Sequence, residues 1–289
     1  MKIVFHRKHE GVLFLLPVLV VLLATTIFPL VYNLYLSVTN YNLYLTRNLA
    51  FVGWGNYKSL LDKPLYGFPE ALLVTAIFSG ISVSLELALG LLFAILLNQE
   101  FRGRGLVRTL IVLPMLISPV SVGLNWRLMF ETESYGLFNF LLSLFGLRPI
   151  TWLSQPSLAL MAVIVVDIWE WTPLMILIFL AGLQLVPTAP YESAIVDGAG
   201  RWQIFRYVTL PALRQMIVIA VLIRLMDSLN TFTTIYVMTG GGPGTSTSIL
   251  NFNMFLHAFD FGYVSIAASE ALILVLIMIV IARLFLRFA

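Results

Sequence analysis

Cysteine is absent from this chain, histidine occurs only three times (His6, His9 and His257), and charged residues make up only 11% of its 289 positions. The first absence excludes a disulfide scaffold, a thiolate metal site and a cysteine nucleophile. The second leaves little material for imidazole-based metal chemistry. The third is the most restrictive. A soluble domain carries about 25% charged residues. With 60% apolar residues and a mean hydropathy of +0.96, this chain falls outside that class. A formal net charge of +3 is no signal for nucleic acid, and none is expected as a partner.

What is present instead is a series of long apolar runs. A hydrocarbon core needs about 20 apolar residues per helix. Six runs meet that length, at 11–38, 70–98, 106–130, 157–186, 213–237 and 264–286. They are too long and continuous for the alternating strands of a membrane barrel. The expected fold is therefore all-α: a polytopic membrane protein of six transmembrane helices, each satisfying its own backbone within lipid. Lys2, Arg7 and Lys8 precede the first run as they would in a secretory signal. The run is longer than a typical signal core, however, and no convincing cleavage site follows, so it is expected to be a retained helix.

The basic residues set an orientation. Most of the 17 lie on one face: Lys2, Arg7, Lys8, Arg102, Arg104, Arg108, Arg201, Arg206, Arg214, Arg283 and Arg287. The other face carries Arg47, Lys58, Lys63, Arg127 and Arg148, and Arg224 falls inside a helix. Both termini are thus expected in the cytoplasm. The loops at 39–69, 131–156, 187–212 and 238–262 are too short to fold alone. One membrane domain is expected over 1–289, with a cytoplasmic tail at 1–10, a six-helix bundle over 11–286 and a cytoplasmic loop at 187–212. No internal repeat is evident, which weighs against a transporter built from inverted repeats.

The 187–212 loop carries the strongest motif. Ala194 favours helix, and Asp197-Gly198 is a break signal. Ile204, Phe205 and Val208 then share one face of a second helix, and Pro211 marks entry into the next span. Two short helices with a glycine elbow make a compact apolar knob, and an apolar knob facing water implies a partner groove. Within it Glu192, Ala194, Gly198, Leu210 and Pro211 stand in the register Glu-Ala-Ala, three residues, Gly, nine residues, Ile, any residue, Leu-Pro, with Ser193 in place of the middle alanine and Val208 in place of isoleucine.

That register resembles the EAA loop of the inner-membrane permeases of binding-protein-dependent ABC importers. Three further stretches are similar to the maltose-type sugar permease branch of that family: Phe51-Val52-Gly53-Trp54-Gly55-Asn56-Tyr57; Leu113-Pro114 with Ser118-Pro119-Val120; and Thr239-Gly240-Gly241-Gly242-Pro243. The resemblance runs from about residue 11 to the C-terminus. It implies a permease subunit, not an enzyme, in a bacterial or archaeal plasma membrane. The implied partners are a second homologous permease, two ATPase subunits, an extracytoplasmic substrate-binding protein and membrane lipid. It implies no cofactor on this chain, with ATP and Mg held by the ATPase. The chain itself has no P-loop: Gly240-Gly241-Gly242-Pro243-Gly244-Thr245 lacks the phosphate-reaching lysine and is expected to be an outer turn. By the same resemblance, the residues that couple to the ATPase are Tyr191, Glu192, Ser193, Ala194, Asp197, Gly198, Ala199, Leu210 and Pro211.

Six ionisable residues fall in the interior of the apolar runs, away from their ends: Glu86, Asp167, Glu170, Arg224, Asp227 and Glu270. A charge at mid-bilayer costs about 2.5–3.5 kcal/mol on insertion scales, so such residues usually face a cavity or a partner. Asp167, Glu170, Trp171 and Leu174 share one helical face, and Arg224, Asp227, Ser228, Thr231 and Thr234 another, with Asn230 beside it. Two polar stripes on successive helices point to a substrate path formed by Asp167, Glu170, Trp171, Leu174, Arg224, Asp227, Ser228, Asn230 and Thr231. The bland alternative is an Arg224–Asp227 pair that only holds the bundle. Glu86 and Glu270 are open to either reading. The family resemblance puts Glu170, Trp171, Leu174, Arg224, Ser228 and Thr231 at substrate-contact positions. Carboxylates, amides and hydroxyls suit sugar hydroxyls, and Trp171 suits a sugar's C–H face. Five acids against one base disfavour an anionic cargo and leave a cation, such as a polyamine, open.

Two other classes compete. A stand-alone secondary transporter or channel would use the intramembrane carboxylates for protons or ions, but has no use for a cytoplasmic docking knob. A membrane-embedded enzyme lacks its motifs: there is no HExxH and no Ser–His pair at membrane depth. His257 is expected to be a solvated loop residue near the outer surface.

Overall fold

The computed structural model describes residues 7–45, 48–132 and 136–287, with side chains from Phe14 onward. Lys2, Arg47 and the first six residues of the expected tail lie outside the described residues. The chain forms two compact units that interleave in sequence. One comprises residues 1–66 and 254–273, the other 67–253 and 274–289.

In the first unit, the first apolar run becomes α1 (Arg7–Leu22) and α2 (Phe28–Ser37), joined by a π-helical turn over Leu23–Ile27. Pro29 accounts for the turn. Its ring crowds the carbonyl four residues back, and just ahead of it the Phe28 N–H donates to the Leu23 carbonyl, five residues back. The short amphipathic α3 (Gly55–Asp62) follows.

The second unit is built on α4 (Phe68–Asn98), α8 (Pro156–Leu185) and α12 (Arg214–Leu229). Their core packs Val83, Ala94 and Leu97 against Met175, Phe179 and Leu183, with Leu213 and Ala220 closing it. Gly90 lets α4 and α8 approach: a Cβ there would lie 3.3 Å from the Met175 backbone carbon and closer still to its side chain. Small residues serve this purpose at helix contacts in membranes.

Between these helices the expected spans are less regular. The 106–130 run divides into α5 (Arg104–Val112), a 3-10 turn at Pro114–Leu116 and α6 (Pro119–Met129). Pro114 and Pro119 lack the donors that would carry one ladder through. A short α7 (Leu137–Leu144) follows, and Asn139 organises the loop around it. Its amide donates to the carbonyls of Glu131, Thr132 and Ile150, and its carbonyl accepts from the Ile150 N–H and Trp152 Nε1.

The 213–237 run is likewise broken. It comprises α12 and α13 (Thr233–Met238), with Asn230–Phe232 between them. Among the described residues, four helices are long and apolar enough to cross a membrane alone: Phe14–Ser37, Phe68–Asn98, Pro156–Leu185 and Val264–Leu286. Arg201–Ala212 and Arg214–Leu229 are also apolar enough when taken together, but they are bent by 67° at Leu213. The 106–130 and 213–237 runs are thus each interrupted rather than single continuous helices.

The chain returns to the first unit through α14 (Leu250–Phe255), a π-helical turn at Leu256–Asp260 and α15 (Val264–Leu286). Ser265 and Ser269 of α15 fasten the end of α2. Ser269 Oγ donates to the Ser37 carbonyl at 3.1 Å, and Ser265 Oγ accepts from the Tyr41 N–H at 2.8 Å. His257 is not a solvated loop residue. Only 2% of it is exposed, and its Nδ1 lies 3.0 Å from a Glu270 carboxylate oxygen. The Tyr66 ring meets it edge-on. The π turn faces His257 inward, where it partners a carboxylate that has no exposure of its own. Glu270 is thus partnered by His257 within the first unit.

The close approach at Gly90 yields a prediction. Gly90→Ala should lower the thermal midpoint of the purified protein, in line with the cost of about 1–3 kcal/mol for overpacking a filled contact. An unchanged midpoint would contradict the close approach of α4 and α8.

Candidate functional site: a buried arginine, a polar cavity and an exposed knob

Arg224 is fully buried at the centre of the second unit. Its Nε and one terminal nitrogen grip Glu86 of α4 in a two-pronged contact, at 2.6 and 2.7 Å. The same terminal nitrogen reaches Asp167 of α8 at 2.9 Å. The other terminal nitrogen donates to Asp227, one turn along α12. The guanidinium also lies over the Trp171 ring, 5.1 Å from its centroid. One cation thus ties three helices through three carboxylates. Its planar fork suits this, because it can donate in several directions at once, whereas a lysine is a point charge.

A cavity of about 150 Å³ opens beside this cluster. Asp167, Glu170 and Trp171 of α8 line it, with Asp227, Asn230 and Thr231 at the end of α12. Phe232, Thr233, Thr234 and Pro119 complete the wall. The break after α12 matters here. Continuous helix would carry Thr231 and Thr234 around the same face as Arg224, whereas the non-helical Asn230–Phe232 segment turns α13 so that residues on both sides of the break meet one space. Asn230 is anchored by its amide to the Met226 carbonyl at 2.8 Å, and its own carbonyl accepts from Asn251.

The expected path residues divide accordingly. Asp167, Glu170, Trp171, Asp227, Asn230 and Thr231 come together at the cavity. Arg224 is not on its wall: its donors are committed to carboxylates. Ser228 is buried and donates to the Leu225 carbonyl within its own helix. Leu174 lies one turn beyond Trp171 and is not part of the lining. Glu86 proves to be the principal partner of Arg224. The sequence signal for it was an acid in the middle of a 31-residue apolar helix, but nothing local names a partner 138 positions away.

The knob lies at the end of the same two helices, since α8 closes at Leu185 and α12 opens at Arg214. Its first helix, α9 (Ala189–Val196), ends at Asp197, and Gly198 takes a φ of +77°, the left-handed conformation that favours glycine at a helix end. The Ala199 N–H returns to the Ala194 carbonyl at 2.9 Å. The second helix joins α10 (Arg201–Ile204), a π turn at Phe205–Thr209 and α11 (Leu210–Ala212). Gln203 caps it by accepting from the Gly200 N–H at 2.7 Å. As at Pro29, the π turn sits just ahead of a proline, Pro211. The Tyr191 hydroxyl donates to Thr209 Oγ1 at 3.3 Å and links the two helices.

The expected coupling residues are arranged around this elbow. Glu192, Ser193, Asp197, Gly198 and Pro211 are exposed, while Tyr191, Ala194, Ala199 and Leu210 are half-buried. The apolar face differs from expectation. Ile204, Phe205 and Val208 are half-buried. The apolar side chains left in the open are Ile195, Val196, Trp202 and Tyr207, with Val196 86% exposed.

A polytopic helical subunit with a polar cavity between its helices and an apolar knob at one end is the architecture of a transporter's membrane component. The chain belongs to the family described as the inner membrane component of binding-protein-dependent transport systems, which matches residues 86–288. It is 38% identical to the trehalose/maltose transport system permease protein MalF of Thermococcus litoralis, over 88% of this chain and 86% of that one. It is 42% identical to the probable ABC transporter permease protein y4oQ of Sinorhizobium fredii, over 89% and 83%. Its fold matches a chain of the bacterial alginate ABC transporter solved with an alginate pentasaccharide-bound periplasmic protein. That match has a TM-score of 0.82 at 25% identity and covers 96% of this chain and 93% of the other.

The Arg224 cluster predicts a steep asymmetry among variants. Removing the one cation by Arg224→Ala leaves buried carboxylates facing one another and should cost about 3–5 kcal/mol, the usual penalty for breaking a buried ion pair. Arg224→Lys should recover only part of this, because it restores charge without the fork. Glu86→Gln, which keeps the shape, should cost less than Arg224→Ala. Thermal unfolding of the purified variants checks the order. Equal midpoints for Arg224→Ala and wild type would contradict a structural role for the cluster.

Proposed function

We propose that this chain is the membrane permease subunit of an ATP-driven importer for a carbohydrate, a sugar, oligosaccharide or polyol. In this reading it assembles with a second homologous permease and two ATPase subunits and receives its cargo from an extracytoplasmic binding protein. Both termini are cytoplasmic. ATP and Mg belong to the ATPase subunits, and this chain carries no catalytic residue.

The observation that carries the substrate class is the cavity lining. Two aspartates, a glutamate, an asparagine amide, threonine hydroxyls and the Trp171 ring surround one small space. Sugar hydroxyls are donors and acceptors that match such groups, and a sugar's C–H face packs on an aromatic ring. Glu170 makes no ion pair among the described residues, so its carboxylate is available to accept from cargo hydroxyls. The trehalose/maltose protein and the alginate transporter, both named for saccharides, support the same class.

The knob supplies the drive in this reading. Glu192, Ser193, Ala194, Asp197, Gly198 and Ala199 form the elbow that seats in a cleft of the ATPase, with Tyr191, Leu210 and Pro211 bracing it. Closure of the ATPase pair pulls the knob, and the two helices that carry it move as a body between outward- and inward-facing states. The cavity lies between those helices, so displacement of the knob changes the side on which cargo is released.

Reconstituted uptake tests this account. Gly198→Pro places a residue with a fixed negative φ where the chain has +77°. ATP hydrolysis stimulated by loaded binding protein should then no longer drive uptake, while the subunit stays in the membrane. Glu170→Gln should leave assembly intact and reduce saccharide uptake about 10- to 100-fold, the equivalent of losing a charge-assisted hydrogen bond of about 1.5–3 kcal/mol. Normal coupled uptake by the Gly198→Pro protein would overturn the coupling role of the knob.

A further inference from the structure

The segment between the first and second long apolar helices presents a surface that neither the cavity nor the knob uses. Helix α3 has two distinct faces. On one, Asn56 donates through its side-chain amide to the carbonyls of Ser37 and Thr39, at 2.8 and 2.7 Å, the Tyr57 hydroxyl donates to Ser37 Oγ at 2.9 Å, and Leu60 is fully buried. These contacts clamp α3 to the last turn of the first span. On the other face stand Lys58 and Leu61, preceded by Trp54 just before the helix, whose ring also packs against Tyr57 with 5.1 Å between centroids. Trp54 is 79% exposed, and Leu61 and the following Leu65 are nearly as open. Leu61 on α3, Leu65 in the turn that follows it and the Trp54 indole before it, with Lys58 among them, give an exposed apolar patch with a cationic edge.

The depth of this face is fixed at both ends. The first apolar run, 11–38, gives way at once to the polar stretch Thr39-Asn40-Tyr41-Asn42. Ser37, to which α3 is clamped, therefore stands where the apolar span ends, at a membrane–water boundary. At the other end, the chain enters the next long apolar helix at Phe68, three residues after Leu65. A segment tethered to spans at both of its ends and clamped to one of them lies at the level of the lipid headgroups. Tryptophan is enriched at that level because its ring is apolar and its N–H polar. Lysine there buries its methylene stem and keeps its ammonium near phosphate. Leucines on the same face reach the upper acyl chains.

We propose that the Trp54–Lys58–Leu61 patch at α3 is a lipid-binding surface. It seats in the headgroup layer of the bilayer and fixes the height of the first span, rather than forming a docking site for a soluble protein. Lys58 and Lys63 flank Asp62 and lean the surface toward anionic headgroups.

The absence of cysteine makes the test direct, since a single substitution marks one position on this chain. Leu61→Cys and Glu100→Cys are each given a nitroxide label in the full chain, purified with its bound subunits and reconstituted in phosphatidylcholine–phosphatidylglycerol vesicles. The unsubstituted protein serves as the blank. The label at 61 should relax more strongly with oxygen, which concentrates in lipid, than with a water-soluble nickel chelate, and the label at 100, in the exposed loop after α4, should show the reverse. In the otherwise native protein, the part of the tryptophan emission lost in Trp54→Phe should be quenched by lipid brominated close to its carbonyls. Preferential relaxation of label 61 by the nickel chelate would overturn the proposal. So would a label that is in water until binding protein is added and protected afterwards, which would make the face a protein-docking site.

Discussion

An arginine with no solvent contact, in a chain this poor in charge, sets the terms for the helices around it. The energetic cost of a lone guanidinium in such surroundings is high, and it is tolerable only where acids converge on it. Glu86, Asp167 and Asp227 supply that convergence from α4, α8 and α12. The requirement also works in the other direction: the two buried acids, Glu86 and Asp167, need the cation as much as it needs them, while Asp227 is half-exposed. The positions of the three helices are therefore fixed by directional contacts at their middle, in addition to the apolar core made by Met175, Phe179 and Leu183.

The cavity and the knob both follow from this arrangement. Because Asp167 and Asp227 are held by Arg224 from one side, they meet the cavity in fixed positions beside Glu170 and Trp171. Because α8 and α12 are joined at mid-length by the Asp167–Arg224 contact and at their ends by the knob, they are suited to move together. The 67° bend at Leu213 is where the knob meets α12. The cavity and the knob thus share one pair of helices, which is why the proposed function places cargo and drive on them together.

Much of this was legible in the sequence, and what was not has physical reasons. Length and polarity sufficed for the long helices, since an apolar run of that size has few alternatives in lipid. The elbow at Gly198 was legible because a helix end with glycine in the left-handed region is local chemistry. The interruptions were harder. Pro114 and Pro119 announced one of them, but the break at Asn230–Phe232 has no proline and follows from anchoring by Asn251 and from the walls of the cavity. Arg224 and Asp227 were a visible pair because they lie one turn apart, whereas Glu86 and Asp167 are brought to them only by packing. His257 misled for the same reason: a lone histidine in a turn carries no local mark of a carboxylate 13 positions on. Ile204, Phe205 and Val208 had the right period for a face. Period alone does not say whether that face turns inward, as it does here, leaving Val196, Trp202 and Tyr207 outside.

The central claim, that this chain is the membrane part of a larger ATP-driven importer, is tested most directly by what accompanies it. The tagged chain should be purified from its own membrane in mild detergent and its companions identified by mass. An ATPase and a second helical permease in the same particle is the predicted result. Recovery of this chain alone, or as a homo-oligomer, would contradict the account and turn attention to ion-coupled transport through the carboxylates around Arg224.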